Sequence, residues 1–263
     1  MNLSVLISCM HQKDATIIQR SKVRTDAVIV NQCNENDVQK IDIDSSDGNT
    51  KKALFISTTE RGLSRSRNLA IQNANTDICL IMDDDEELEA NYESIILGAY
   101  EQYKDVDVIV FKIRNSGKDY RTDTCKVGFI DALKVASLEI TFKRKSIVEH
   151  GIKFNVNIGS GTKHGSGEEN AFLWECLKKG LKIQYVPQYV AALDPQSESQ
   201  WFKGFTERFF LERGWSTSQY MGKTIAFLYA WYYAIRKRNL YKNDCTFWTA
   251  IRSMITGIFK SDI

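Results

Sequence analysis

Three consecutive carboxylates, Asp83, Asp84 and Asp85, follow directly on the apolar run Ile78-Cys79-Leu80-Ile81-Met82. Adjacent carboxylates repel one another, so the cluster is costly unless a positive charge resides among them. A hard divalent cation with a phosphate attached would suit, because Mg²⁺ is commonly held by one or two carboxylates plus substrate phosphates. The plainer alternative is that the acids cap a helix over 88–103 and face water. Upstream, Arg61, Arg65 and Arg67 lie within Arg61-Gly62-Leu63-Ser64-Arg65-Ser66-Arg67-Asn68. That is a loop-to-helix junction, where backbone N–H groups and the helix dipole also favour anions. A solvated basic helix start would look the same. Arginines before the strand and acids after it could together hold a nucleoside diphosphate and its metal. Neither a G-x-x-x-x-G-K-[ST] loop nor a G-x-G-x-x-G segment after the first strand is present.

The elements that must position these residues follow from the apolar runs. Leu3–Ser8, Ala27–Val30, Ala53–Ile56, Ile78–Met82 and Val106–Ile113 are predicted as strands. Helices are predicted over Ala15–Val23, Ser64–Ala74 and Leu88–Tyr103. This alternation favours a layered α/β domain with a largely parallel sheet, which would place Asp83–Asp85 beyond a strand's carboxyl end, where such sheets bind ligands. Residues 32–52 are polar and carry an Asp47-Gly48 turn signal, and 115–128 are predicted as loop or hairpin. Leu138–Phe142 and Leu181–Val186 are further strand candidates, the second stopped by Pro187. Glycines at 159, 161, 165 and 167 make a flexible loop ahead of a helix over Glu168–Lys179, ended by Gly180. From 198 onward the pattern is helical.

The 263 residues are enough for one domain with an appendage. The net charge of +2 does not suit a nucleic-acid binder. It hides an acidic body and a basic tail, since residues 201–263 hold ten Lys/Arg against four Asp/Glu. Six cysteines without a C-x-x-C pair argue against a zinc ribbon or a dense disulfide framework. The N-terminus reads as a core strand rather than a leader, so a cytoplasmic setting is expected.

The motifs in this order resemble the family 2 glycosyltransferases of the GT-A fold. The matching stretches are Gly62-Leu63-Ser64-Arg65-Ser66-Arg67-Asn68, Asp83-Asp84-Asp85 and Gly167-Glu168-Glu169, trailed by Lys179–Pro187. The resemblance covers about residues 3–195. It implies a GT-A catalytic domain over 1–197 with a helical region over 198–263. It also implies transfer of a sugar from a nucleotide sugar, expected to be a uridine-diphosphate sugar, to an acceptor hydroxyl with inversion. By the same resemblance Asp83, Asp84, Arg67 and Asn31 contact the donor. Asp85 binds Mn²⁺ or Mg²⁺, with Asp194 as a further oxygen ligand. Glu169 is the expected base that takes the acceptor's proton, and Glu168 its rival. Relatives usually show Asp at position 169, Asp at 31 and a metal-binding His near 194. Without the resemblance, both glutamates read first as acids capping the helix over 168–179.

His11, His150 and His164 read as ordinary loop residues. In the tail, Ile225–Ile235 is apolar nearly all round and is followed by Arg236-Lys237-Arg238, while Phe247–Phe259 repeats apolar residues at helical spacing. The runs are too short to span a bilayer. They could pack on the catalytic domain, pair with a second copy, or lie on the inner face of the cell membrane near a lipid-linked acceptor. The expected product is a surface polysaccharide or glycolipid intermediate. Two rivals stay open: a nucleotidyltransferase making nucleotide sugars, and a non-catalytic partner of an active transferase.

Overall fold

The computed structural model describes residues 1–43, 50–193 and 204–260. In chain order its first half runs β1 (Leu3–Met10), α1 (Ile17–Arg20), β2 (Asp26–Gln32), β3 (Asp37–Ile43), β4 (Lys51–Thr58), α2 (Leu63–Asn73), β5 (Ile78–Asp83), β6 (Glu86–Leu88), α3 (Tyr92–Gln102) and β7 (Val108–Arg114). The second half runs β8 (Cys125–Lys126), α4 (Phe129–Ala132), β9 (Ile140–Lys143), α5 (Arg144–Glu149), α6 (Glu168–Lys178), β10 (Ile183–Leu193), α7 (Glu207–Met221), α8 (Lys223–Arg236), α9 (Arg238–Tyr241) and α10 (Phe247–Phe259).

The strands form one sheet in the order β3-β4-β2-β1-β5-β9-β7-β10-β6, with β8 on β10. Its parallel heart is β4-β2-β1-β5. Antiparallel β9 bridges β5 to β7, and β7 is parallel to β10, so these last two run with the heart. Such strands are covered on both faces and read as unbroken apolar runs. In β1, Leu3, Val5 and Ile7 join the core beneath α3, while Leu6 joins the core beneath α2 and α6. All six cysteines are free thiols. Burial pushes those of Cys9 and Cys79 up to about 12.

Several expectations are corrected. The helix at Ala15–Val23 contracts to the single turn α1. Within 32–52 the chain forms β3, an antiparallel edge strand along β4 whose residues 37–40 are exposed; the Asp47-Gly48 turn lies outside the described residues. β10 does not stop at Pro187. It runs on to Leu193, and its register against β7 shifts between Tyr185 and Tyr189. Such an irregularity takes a residue that has no N–H to give the ladder.

The C-terminal helices share a third core with the body. Ile158, Ala171 and Trp174 pack with Phe210, Trp215, Tyr233 and Met254. The α7–α10 crossing depends on two glycines. A Cβ on Gly214 would strike the backbone of Met254, and one on Gly257 the backbone of Leu211. Gly257→Ala should therefore lower stability by about 1–3 kcal/mol, the usual cost of overpacking. A urea midpoint at or above wild type would mean that the two helices can part without loss.

Candidate active site

The acidic cluster occupies a reverse turn rather than a helix cap. β5 ends at Asp83, Asp84 and Asp85 turn the chain, and β6 leaves antiparallel to β10, so α3 starts only at Tyr92. The Asp83 carboxylate accepts from Arg67 Nη2 at 2.9 and 3.1 Å and from the Ser137 hydroxyl at 3.2 Å. Its backbone N–H donates to Glu86 at 2.8 Å. Glu86 is buried, and burial, with Asp83 and Asp85 adding to it, holds its carboxyl well above the usual range. Asp84 is half-buried, accepts from Gln12 Nε2 at 3.3 Å, and is also raised by burial. Asp85 is exposed on the turn.

Arg67 joins this turn to the glutamates. Its guanidinium is 1% exposed, lies 5.4 Å from the centre of the Phe154 ring, and donates Nη1 to Glu168 at 3.0 Å. Burial opposes its charge, but Asp83, Glu168 and Glu169 outweigh that and hold it firmly protonated. The other two arginines turn elsewhere. Arg61 donates to Thr58 and Asn34, and Arg65 pairs with Glu60 at the surface.

The glycine loop reaches α2 closely enough to set α6 against Arg67. Leu63 N–H donates to Ser160 at 2.9 Å and the Ser64 hydroxyl to Ile158 at 2.6 Å. Gly159, at φ +111°, makes the approach possible, since a Cβ there would lie 3.1 Å from Ser64 Oγ and 3.2 Å from Glu168 Cδ. His164 stacks on Trp215 of α7, ring centres 3.3 Å apart, and so ties the loop to the C-terminal helices.

The two glutamates are thereby set in different surroundings. Glu168 is buried and held in the ion pair. Glu169, one residue on, lines a cavity of about 620 Å³ between the glycine loop, α6 and α7. Burial first, and then the neighbouring Glu168 charge, push its carboxyl up to about 8. A carboxylate of that basicity facing open space can accept a proton from a bound hydroxyl near neutral pH.

Asn31 is buried, and its amide meets the loop after β1. Oδ1 accepts from Gln12 N–H and Nδ2 donates to the Gln12 carbonyl, both at 2.9 Å. Asp194 lies outside the described residues. His11, at φ +52°, is exposed beside this loop. Among the described residues no three His, Cys, Asp or Glu side chains form a metal cage. The donor set at the turn is hard carboxylate oxygen with Asp83 already engaged by Arg67, which fits a Mg²⁺ or Mn²⁺ ion completed by substrate phosphates rather than by protein alone. The motif reading missed Glu86, Gln12 and Ser137. Each is an ordinary polar residue by type, and only the fold carries it to the acids.

The model for glycosyl transferase family 2 matches residues 16–164. The chain belongs to glycosyl transferase family 2. The matched stretch includes Asn31, Arg67 and Asp83–Asp85 and ends ahead of the glutamate pair. No curated protein matches the sequence. Among solved structures, S. aureus TarS 1–349 in complex with UDP-GlcNAc is similar at 14% identity and a TM-score of 0.63, over 93% of this chain and 74% of that one. The mannosyltransferase PcManGT from Pyrobaculum calidifontis, in complex with GDP-Man and Mn²⁺, is similar at 13% identity and a TM-score of 0.51, over 97% and 73%. At such identities the likeness is one of fold. The glycosyltransferase described here has the mixed α/β sheet flanked by helices that defines the GT-A fold.

The raised Glu169 carboxyl has a consequence for stability. Between the ordinary glutamate value and about 8 the folded chain holds a proton that the unfolded chain has released. Stability contributed by this group is thus present at low pH and lost as pH rises across that window. Glu169→Gln should flatten this part of the profile, read as urea midpoints between about pH 5 and about pH 9. A variant profile parallel to wild type would place the carboxyl at its ordinary value.

Proposed function

We propose that this glycosyltransferase moves a sugar, hexosyl or N-acetylhexosaminyl, from a uridine-diphosphate sugar to a hydroxyl of a saccharide or lipid-linked saccharide, with inversion. Polysaccharide or glycolipid synthesis in the cytoplasm is the corresponding role. The observation that carries the reading is Glu169 on the cavity wall, beside a glutamate already committed to Arg67. The TarS complex with UDP-GlcNAc, at the same fold, supports the choice of donor.

In this reading Glu169 takes the proton of the acceptor hydroxyl as its oxygen bonds to the donor's anomeric carbon and the bond to the diphosphate breaks on the opposite face. Glu168 is the positioning partner, held by Arg67, and Arg67 in turn orients Asp83 toward the donor. Asp84 contributes to the donor side, and Asn31 acts there through the Gln12 backbone it holds. Asp85, with Asp194 outside the described residues, would hold the Mn²⁺ or Mg²⁺ ion that withdraws charge from the leaving diphosphate. In this reading residues 1–197 are the catalytic unit and 198–263 the C-terminal region that carries α7–α10.

Incubation with UDP-sugars and Mn²⁺ should release UDP, and a chelator should stop it. Asp85→Ala should abolish turnover, while Glu169→Gln should keep donor binding and lose about 10²–10⁴-fold in transfer. Wild-type kcat/KM should rise with pH through about 8. Undiminished transfer by Glu169→Gln would move the base to Glu168. Release of pyrophosphate from a nucleoside triphosphate would instead point to a nucleotidyltransferase, and no turnover to a non-catalytic partner.

The tail favours attachment to an anionic membrane surface. No described helix is long and apolar enough to cross a membrane. α8 buries Ala226, Tyr229, Ala230, Tyr233 and Ala234 but exposes Ile225, Leu228, Tyr232 and Ile235, ahead of the exposed Arg236-Lys237-Arg238. An apolar face beside a basic cluster complements anionic lipid. Removing α8–α10 would open the core they share with α6, so a surface change is the cleaner probe. Leu228→Glu with Ile235→Glu should abolish flotation with phosphatidylglycerol-containing vesicles. Unchanged flotation, or a concentration-dependent dimer that the substitutions split, would overturn membrane attachment, the latter in favour of a second copy.

A further inference from the structure

Arg213 differs from the other charged residues around the Glu169 cavity. It lies on α7 and lines the same cavity. Its Nη2 donates to the Tyr229 hydroxyl at 2.9 Å. Its guanidinium lies 4.2 Å from the centre of the Tyr233 ring, 5.8 Å from that of Phe209 and 5.9 Å from that of Tyr229. No carboxylate pairs with it among the described residues, and its Nε is buried without a hydrogen-bond partner. The neighbouring cations are provided for. Arg208 donates to Glu212 at 2.6 Å, and Lys163 is in solvent. Arg67, more deeply buried than the half-buried Arg213 and also with an unpartnered Nε, has two carboxylates.

A guanidinium keeps its proton in proteins, so the charge persists whatever surrounds it. Withdrawn charges are normally paired. Aromatic faces support a cation but leave its in-plane N–H donors without an acceptor. Those donors form a fork suited to the oxygens of a phosphate or carboxylate. We propose that Arg213 is an anion-binding subsite of the acceptor cavity, so that the acceptor carries a phosphate or carboxylate close to the hydroxyl that is glycosylated. The assignment of the cavity to the acceptor rests on Glu169 being the base; the presence of an anion subsite does not. Glu169, Arg213 and Tyr220 line the same cavity, so one bound molecule can face both the carboxyl and the guanidinium.

The test is calorimetric titration of the full chain with glycerol 1-phosphate, with glucuronate and with neutral glucose, and in parallel with UDP plus Mn²⁺. Wild type should bind at least one of the two anions more tightly than glucose, and which one it prefers identifies the source of the charge. Arg213→Gln should weaken that binding at least tenfold while leaving UDP binding unchanged. Equal affinity in wild type and variant, or anions no better than glucose, would overturn the subsite. Should Arg213→Gln fail to fold, Arg213→Lys keeps the charge in its aromatic surround but lacks the fork. It should show wild-type circular dichroism and weakened anion binding, and unaltered affinity there would also overturn the proposal. Loss of UDP binding with anion binding intact would instead count against the donor reading and leave the subsite standing.

Discussion

A guanidinium taken out of water needs carboxylates, and Arg67 finds two that are far apart in the chain. One ends β5 and the other begins α6, and neither could approach the other without the cation between them. Removing one partner from such a buried pair generally costs about 3–5 kcal/mol, because the remaining charge is stranded. The arrangement fixes the turn of acids relative to the helix that carries the glutamates. Among the described residues it also leaves Glu169 without an ion-pair partner of its own. Arg67 is hydrogen-bonded to Asp83 and Glu168, and its charge only partly offsets the burial and the like charge beside it that raise the Glu169 carboxyl.

The parallel heart of the sheet was legible because its strands are buried on both faces and have no polar alternation to confuse with a helix. The acids, the arginine segment and the glutamate pair were legible by type and order. Their partners were not. Glu86 reads as one more acid in a run of five, yet the alternation of β6 turns it inward under Asp83. Gln12 and Ser137 carry no signal at all in the sequence. Of three arginines in one short segment, only the position that faces inward on α2 is withdrawn from solvent, and composition cannot tell which that is.

The second half of the chain was harder to read for a related reason. β9 and β10 depend on pairing between distant segments, and the irregularity that accommodates Pro187 exists only once β7 is alongside. The glycine loop looked flexible by composition. In the fold Gly159 and Gly161 serve close approach to the start of α2, while Gly167 beside Ser216 and the stack of His164 on Trp215 hold the loop to α7. The loop, α6 and α7 thus form a single wall, so a change in the C-terminal helices is felt where Glu169 stands.

The exposed strand β3 is the edge of this sheet, and its sequence explains both why it was overlooked and what it prevents. Asp37, Lys40 and Asp42 interrupt its apolar positions, and only Ile43 is fully buried. An uncovered sheet edge is an open template for pairing with another chain, and charges along it are a common defence against fibril-like association. The polarity that hides this strand from a hydrophobic reading therefore also disfavours extension of the sheet by a neighbouring chain in a crowded solution.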